Sequence, residues 1–294
     1  MVRLFHPLGY PVLIECDAGE PLRIAQESWG SRAPLFDAPC LHLTIRTQDA
    51  PAPQDSPRYE AFPDGFSLVC DSATRGEFSI RAHSACLHVS RAVLERTEWF
   101  RYQLLECLVL TALDTVYFVG LHAACVAPPT RDGTLLCGAS GSGKSTLAYA
   151  CARAGWTFVS DDSHLAPAGD KGSDIVTGSS DLIRLREPAR GLFPELLTKL
   201  SVTAPNGKSC IEVAALHGSD SGPARHCVFL SRRPGPAVLE PYSEERTVEY
   251  FMGYNTRYDR SGAELRLREF VHGRTWLLEY EHLDDAIDTL EKLP

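Results

Sequence analysis

LLCGASGSGKSTLAYACARAGWTFVSDDSHL, residues 135 to 165, is the stretch from which the fold is read. Its centre, Gly138 to Ser145, fits Gly-x-x-x-x-Gly-Lys-Ser without a gap. The apolar residues before it predict a strand, and the good helix formers from Lys144 to Ala154 predict a helix. Glycines allow backbone conformations that a Cβ forbids, so successive N–H groups can converge on phosphate oxygens at a helix N-terminus. Gly138, Ala139, Ser140, Gly141, Ser142, Gly143, Lys144, Ser145 and Thr146 are therefore the candidate nucleotide-binding residues. Lys144 is expected on the β- and γ-phosphates, the Ser145 hydroxyl on a magnesium ion, and Thr146 in the first helical turn.

Downstream of that helix, "WTFVS" predicts a second strand that ends in Asp161 and Asp162. An ordinary crossover would lay this strand beside the loop strand and bring both carboxylates to the carboxyl edge of the sheet. There one acid can hold a metal ion while the other accepts a proton from an attacking hydroxyl. The alternative is an Asp that caps a turn. Upstream, "VYFVGLHAACVA" reads as a strand carrying His122, either a hydrogen-bonded core histidine or a functional one.

Working outward, strands and helices alternate from Val116 onward, which favours an α/β layer. Short strands are expected at "DIVTG" and "SCIEV", a helix at "EPARGLFPELLTKL", a strand at "CVFLSRR" and a final helix at "LDDAIDTLEKL". Residues 1 to 90 hold short β-type runs with Pro and Gly punctuation, predicting a small antiparallel sheet with a helix near Leu22 to Trp29. Arg91 to Leu113 has no Gly or Pro and predicts one helix. The expected organisation is a β-rich domain over 1–90 and a phosphate-binding domain over 91–294.

Composition narrows the function classes. The chain has 294 residues, 44% hydrophobic and 23% charged, close to a globular average. A formal net charge of −9 argues against a nucleic-acid partner. The apolar run from Leu104 to Ala127 carries Glu106, Asp114 and His122, so a break near Asp114 is expected in place of a membrane span. The ten cysteines show no zinc-site spacing and read as reduced thiols, mostly in the core. The opening residues lack a secretory pattern, and a cytoplasmic location is expected. Arg184, Arg186 and Arg190, the arginines from Arg257 to Arg274, and Lys208 in its Asn-Gly turn read as solvated. No coiled-coil signal is present.

"LHAACVA", "LLCGASGSGKSTLA" and "AGWTFVSDD", in this order and spacing, resemble the HPr kinase/phosphorylase group, whose nucleotide-binding core is shared with ATP-dependent phosphoenolpyruvate carboxykinases. The likeness covers roughly residues 117 to 166, and "GSSDLIRLREPARGLFPEL" more loosely. It implies a P-loop core of that type and an ATP- and Mg2+-dependent kinase acting on a hydroxyl, with serine of a protein or peptide as acceptor; the small β-rich N-terminal domain read over residues 1–90 differs from the regulatory domain of the bifunctional enzyme. It assigns phosphate contacts to Lys144, metal binding to Ser145 and Asp162, and the general base to Asp161, with the two acids able to exchange roles. It also places His122 near the phosphates or metal, and admits a homo-oligomer, since related kinases form multimers. Thr146 stands where HPr kinases usually carry Glu, and the Glu-Ile-Arg-Gly-Leu-Gly signature is absent, which argues against HPr as substrate and against phosphorylase activity. Two other functions stay open: a small-molecule kinase whose anionic acceptor meets Arg184 and Arg186, and a nucleotide-gated regulatory protein that transfers nothing.

Overall fold

The computed structural model describes residues 1–166, 174–199, 201–203, 208–213, 217–255 and 259–294. The chain forms two compact units, Met1–Tyr117 and Phe118–Asn255 with Arg260–Pro294.

The first unit is a seven-stranded sheet of β1 (Val2–Phe5), β2 (Val12–Cys16), β3 (Leu41–Gln48), β4 (Arg58–Phe62), β5 (Gly65–Val69), β6 (Arg75–Ser79) and β7 (Ser84–Ser90), in the order β1-β2-β3-β7-β6-β5-β4. The sheet is mixed where an antiparallel one is expected, because β3 pairs in parallel with both β2 and β7. Helix α1 (Gly19–Trp29) makes the β2-to-β3 crossover that parallel pairing requires. Its buried Ile24, Ala25 and Trp29 recur at helical spacing, and Trp29 meets Phe5 edge to face with ring centroids 6.4 Å apart.

The segment after Arg91 is interrupted. It forms α2 (Arg91–Leu94), α3 (Thr97–Trp99), a π-helical stretch over Phe100–Leu105, and α4 (Glu106–Val116). These helices belong to the first unit, so the division falls after Tyr117 while the sequence places it near residue 90. Packing gives the reason. The fully buried Leu108 of α4 lies over Gly76, where an added Cβ would come within 3.2 Å of it.

The second unit is a mixed α/β assembly in three layers. Its main sheet contains β8 (Val119–Gly120), β9 (Ala124–Ala127), β10 (Gly133–Cys137), β11 (Thr157–Ser160), β12 (His164–Leu165) and β13 (Ile175–Thr177). Helix α5 (Lys144–Arg153) follows β10 directly across the glycine-rich loop. A separate antiparallel sheet is built from β14 (Leu182–Leu185), β15 (Ser201–Thr203) and β16 (Ser209–Glu212), with short helices α6 (Glu187–Arg190) and α7 (Pro194–Leu197) between its first two strands. Gly191 and Pro194 break the single helix expected there. The chain then adds β17 (Ser221–Arg232), β18 (Val238–Pro241), α8 (Glu244–Tyr254), α9 (Arg260–Val271), β19 (Thr275–Tyr280) and α10 (Leu283–Leu290).

The main sheet runs β11-β9-β10-β17-β13-β12-β8, with β19 parallel to β17 and β18 antiparallel to β19. Side chains alternate across it. Leu136 of β10 joins a core with Leu147 and Cys151 of α5 and with Ile287 of α10, whereas Leu135 and Cys137 join Phe251 of α8 and Phe270 of α9 on the other face. The loop strand is thus buried on both sides, which explains its unbroken apolar run. None of the ten cysteines is in a disulfide, and six of them are buried. Among the described residues no helix is long and apolar enough to cross a membrane.

Two local expectations are corrected. Strand β11 does not lie beside β10: β9 sits between them, antiparallel to both. The two antiparallel steps restore a common direction, so β10 and β11 still end at the same sheet edge. The strand expected through His122 is also broken. Its halves, β8 and β9, pair with different partners, β12 and β10, and the chain turns at His122 with φ of 36°. A positive φ is uncommon for a residue with a Cβ and costs energy that the surroundings must offset.

Candidate active site

The common edge gathers three pieces of chain: the loop after β10, the acids after β11, and His122 before β9. The loop is built by its glycines. Gly138, Gly141 and Gly143 have φ of 137°, 91° and 100°, and Gly143 leads straight into α5, where its Cβ would meet the Tyr280 hydroxyl at 3.0 Å. The helix therefore starts with its first N–H groups facing the cleft, an anion site by its own electrostatics.

Lys144 is buried and folds back over the loop, its Nζ donating to the carbonyls of Gly138 and Ala139. Burial lowers its pKa, and the nearby Lys208 lowers it further, partly opposed by Cys137, Asp162 and Asp161. A cleft of about 390 Å3 opens over the loop. Gly141, Gly143, Lys144, Ser145 and Thr146 form its floor, while Arg184, Arg186, Lys208 and Arg232 reach its walls. Arg186 donates to the Ser140 hydroxyl at 3.3 Å.

Arg184, Arg186 and Lys208, expected to face water, line the cleft over the loop: Arg184 lies in β14, Arg186 directly after it and Lys208 directly before β16. Arg190 is structural, tying α6 to α7 through the carbonyls of Leu196 and Leu197. The Asn206-Gly207 turn before Lys208 and Arg257 lie outside the described residues.

The two acids have different surroundings. Asp161 is buried, and its Oδ2 accepts the Arg184 backbone N–H at 3.0 Å. Its Oδ1 is buried without a hydrogen-bond partner among the described residues. Burial pushes its pKa up, against the opposing pull of the Ser145 hydroxyl and the charges of Arg184 and Lys208. The Asp162 side chain is 54% exposed and lies 3.6 Å from His122 Nδ1. For Asp162 desolvation acts upward, but the His122 hydrogen bond and the charges of His164, His122 and Arg184 outweigh it, so the pKa is lowered. Adjacent carboxyls whose environments push their pKa values apart suit different tasks.

Sequence reading alone did not find several supports. The Tyr250 hydroxyl lies 2.8 Å from the Gly138 carbonyl and 3.0 Å from that of His122, its single proton serving either, and it accepts the Gly138 N–H at 3.3 Å. Burial raises its pKa and keeps that proton in place. Tyr254, one turn later in α8, stacks on the His122 ring with centroids 4.3 Å apart. Together they hold the strained turn at His122 against the loop. No local signal marks either tyrosine, since each lies more than a hundred residues from its partner.

Gly178 is the other unforeseen support. A Cβ there would lie 2.1 Å from Ser160 Oγ and 3.1 Å from the Asp162 carbonyl, and the Ser160 hydroxyl in turn accepts the Asp162 N–H at 3.0 Å. Gly178→Ala is expected to lower stability by about 1–3 kcal/mol, as overpacking does. Chemical denaturation checks this, and an unchanged midpoint would show that the acid turn tolerates displacement.

Among the described residues no group of three or more His, Cys, Asp and Glu side chains could hold a metal ion. The Ser145 hydroxyl, which lines the cleft, and the Asp162 carboxylate at the same sheet edge are nevertheless hard oxygen donors, the kind of sparse protein set that Mg2+ takes beside phosphate oxygens and water. No family model matches this sequence, and comparison with curated proteins gives no match.

Proposed function

We propose that the chain is an ATP- and Mg2+-dependent kinase that transfers the γ-phosphate to a hydroxyl, with a serine of a protein or peptide as acceptor. The observation that carries this reading is the meeting, at one sheet edge, of a glycine-rich loop and helix N-terminus with two adjacent carboxyls, Asp161 buried and Asp162 54% exposed beside His122. The resemblance of "LHAACVA", the loop and "AGWTFVSDD" to the HPr kinase/phosphorylase group supports the same chemistry and the choice of ATP.

In the reaction the acceptor oxygen forms a bond to the γ-phosphorus, and the bond from that phosphorus to the β,γ-bridging oxygen breaks, releasing ADP. The hydroxyl proton goes to Asp161, whose raised pKa makes it the better proton acceptor of the two. Lys144 and the loop N–H groups stabilise the charge that spreads over the transferring group. Asp162, steered by His122, and Ser145 would hold Mg2+, which supplies charge neutralisation on the phosphate oxygens.

A second reading has its own observation. Arg184, Arg186, Lys208 and Arg232 bring more positive charge to the cleft than a phosphate-loop lysine alone supplies, which favours a small acceptor bearing its own anionic group. Incubation with Mg2+ and γ-labelled ATP against arrayed serine peptides and, separately, anionic metabolites distinguishes the two. Label on a serine peptide supports the first reading and label on a metabolite the second, while tight ATP binding with no transfer to either would overturn both.

A further inference from the structure

A second cavity, of about 600 Å3, opens beside the loop cleft, and both are lined by Leu192 and Arg232. Its floor is apolar: Ala150, Phe193 and Ile287 are all buried there. His282 and Asp284, at the start of α10, supply polar groups at its rim. Ala150 lies six residues into α5, about 9 Å beyond Lys144 at 1.5 Å per residue. A ligand with its phosphates on the first turn of α5 that continues along the helix arrives at this floor.

Sheet order gives the direction. Across the carboxyl edge the acids stand two strands from β10 on one side, beyond β9, whereas Arg232 ends β17 and Tyr280 ends β19 on the other. The reacting phosphate belongs with the acids, so the rest of the nucleotide runs toward β17 and β19. Arg232 stands at that crossing. Its guanidinium lies 5.8 Å from the Tyr280 ring centroid and donates to the Glu281 carbonyl at 3.2 Å, which fixes its charge between the two cavities. Ser145 and Arg184, the groups that act on Asp161, line the loop cleft and not the second cavity, so an acceptor bound in the second cavity would be remote from the proposed base.

We propose that the second cavity is the purine-nucleoside half of the nucleotide site: Phe193 and Ile287 contact the flat apolar base, polar groups of α10 meet its edge, and Arg232 lies against the phosphate nearest the ribose. This rests on the kinase reading for the position of the phosphates. The test compares Mg2+-ATP with inorganic tripolyphosphate, which has the phosphates and no base, by calorimetry on the whole chain. Ala154→Trp, at an exposed position that lines the second cavity and not the loop cleft, fills it without altering charge over the loop; Leu283→Ala removes an apolar contact from the other wall.

Wild type is expected to bind ATP at least tenfold more tightly than tripolyphosphate, and both variants to lose most of that advantage while binding tripolyphosphate as wild type does. ATP binding unchanged in both variants, equal wild-type affinities for the two ligands, or variant losses shared equally by both ligands would overturn the base site and leave the phosphate loop standing. Failure of wild type to bind either ligand would overturn the kinase reading and this inference together.

Discussion

Replacing Asp161 with asparagine (Asp161→Asn) is expected to leave Mg2+-ATP binding near its wild-type level and to lower phosphoryl transfer about 10²- to 10⁴-fold, the usual contribution of a positioned general base. Asparagine keeps the shape and the oxygen that accepts the Arg184 N–H, but it cannot take a proton. Because burial raises the Asp161 pKa, the wild-type rate is expected to fall on the acid side at a pH above the ordinary carboxylate range. That limb should vanish from the residual activity of the variant.

Stability should move the other way. The folded pKa of Asp161 lies above its unfolded value, so its share of stability is fully present below the unfolded value and is lost as pH rises through the folded one. Asp161→Asn removes that loss, and the variant should melt no lower than wild type near neutrality. A variant that melts lower and still transfers phosphate at the wild-type rate would make Asp161 a structural residue.

Lys144→Ala is expected to weaken tripolyphosphate and ATP alike by about 10- to 100-fold, the range for loss of hydrogen bonds to a charged group. Transfer should fall further still, since the ammonium also stabilises the transferring group. Lys144→Arg should rescue poorly, because a planar guanidinium does not reproduce a compact ammonium seated over the carbonyls of Gly138 and Ala139. The pKa of Lys144 is lowered and that of Asp161 raised, both toward the neutral form, as burial without full charge compensation dictates. Binding of phosphate should accordingly weaken at alkaline pH in wild type. An alanine variant with wild-type affinity for both ligands would remove the loop lysine from the site.

What could be read from sequence was what is local. Gly138 to Ser145 reports a loop because its glycines need positive φ, and "STLAYACAR" reports a helix because its residues favour one and its apolar face must pack on the sheet. Likewise β11, β13, β16 and α10 follow from short runs with clear ends. Two features were hidden for related reasons. Insertion of β9 between β10 and β11 is a matter of pairing, which the apolar character of all three strands does not encode. His122 looked like the middle of a strand because its neighbours are apolar on both sides, whereas the two flanks serve different strand partners.

The site followed the same rule. Loop and acids are close in sequence and were found together, although the crossover expected between them differs from the observed one. Tyr250, Tyr254, Gly178 and Arg232 act across long separations, and each type has a commoner use in a core, a turn or a solvated surface. For the same reason the sequence does not reveal the placement of Arg184, Arg186 and Lys208: charge in or beside a short strand says nothing about which cleft it overhangs.

The most direct test of the central claim is the structure of the chain with Mg2+ and a non-hydrolysable ATP analogue. The account predicts that Lys144 leaves the carbonyls of Gly138 and Ala139 for the β- and γ-phosphates, and that Asp161 and Asp162 face the γ-phosphate. Triphosphate bound elsewhere, or bound on the loop with both carboxylates turned away from it, would contradict that account.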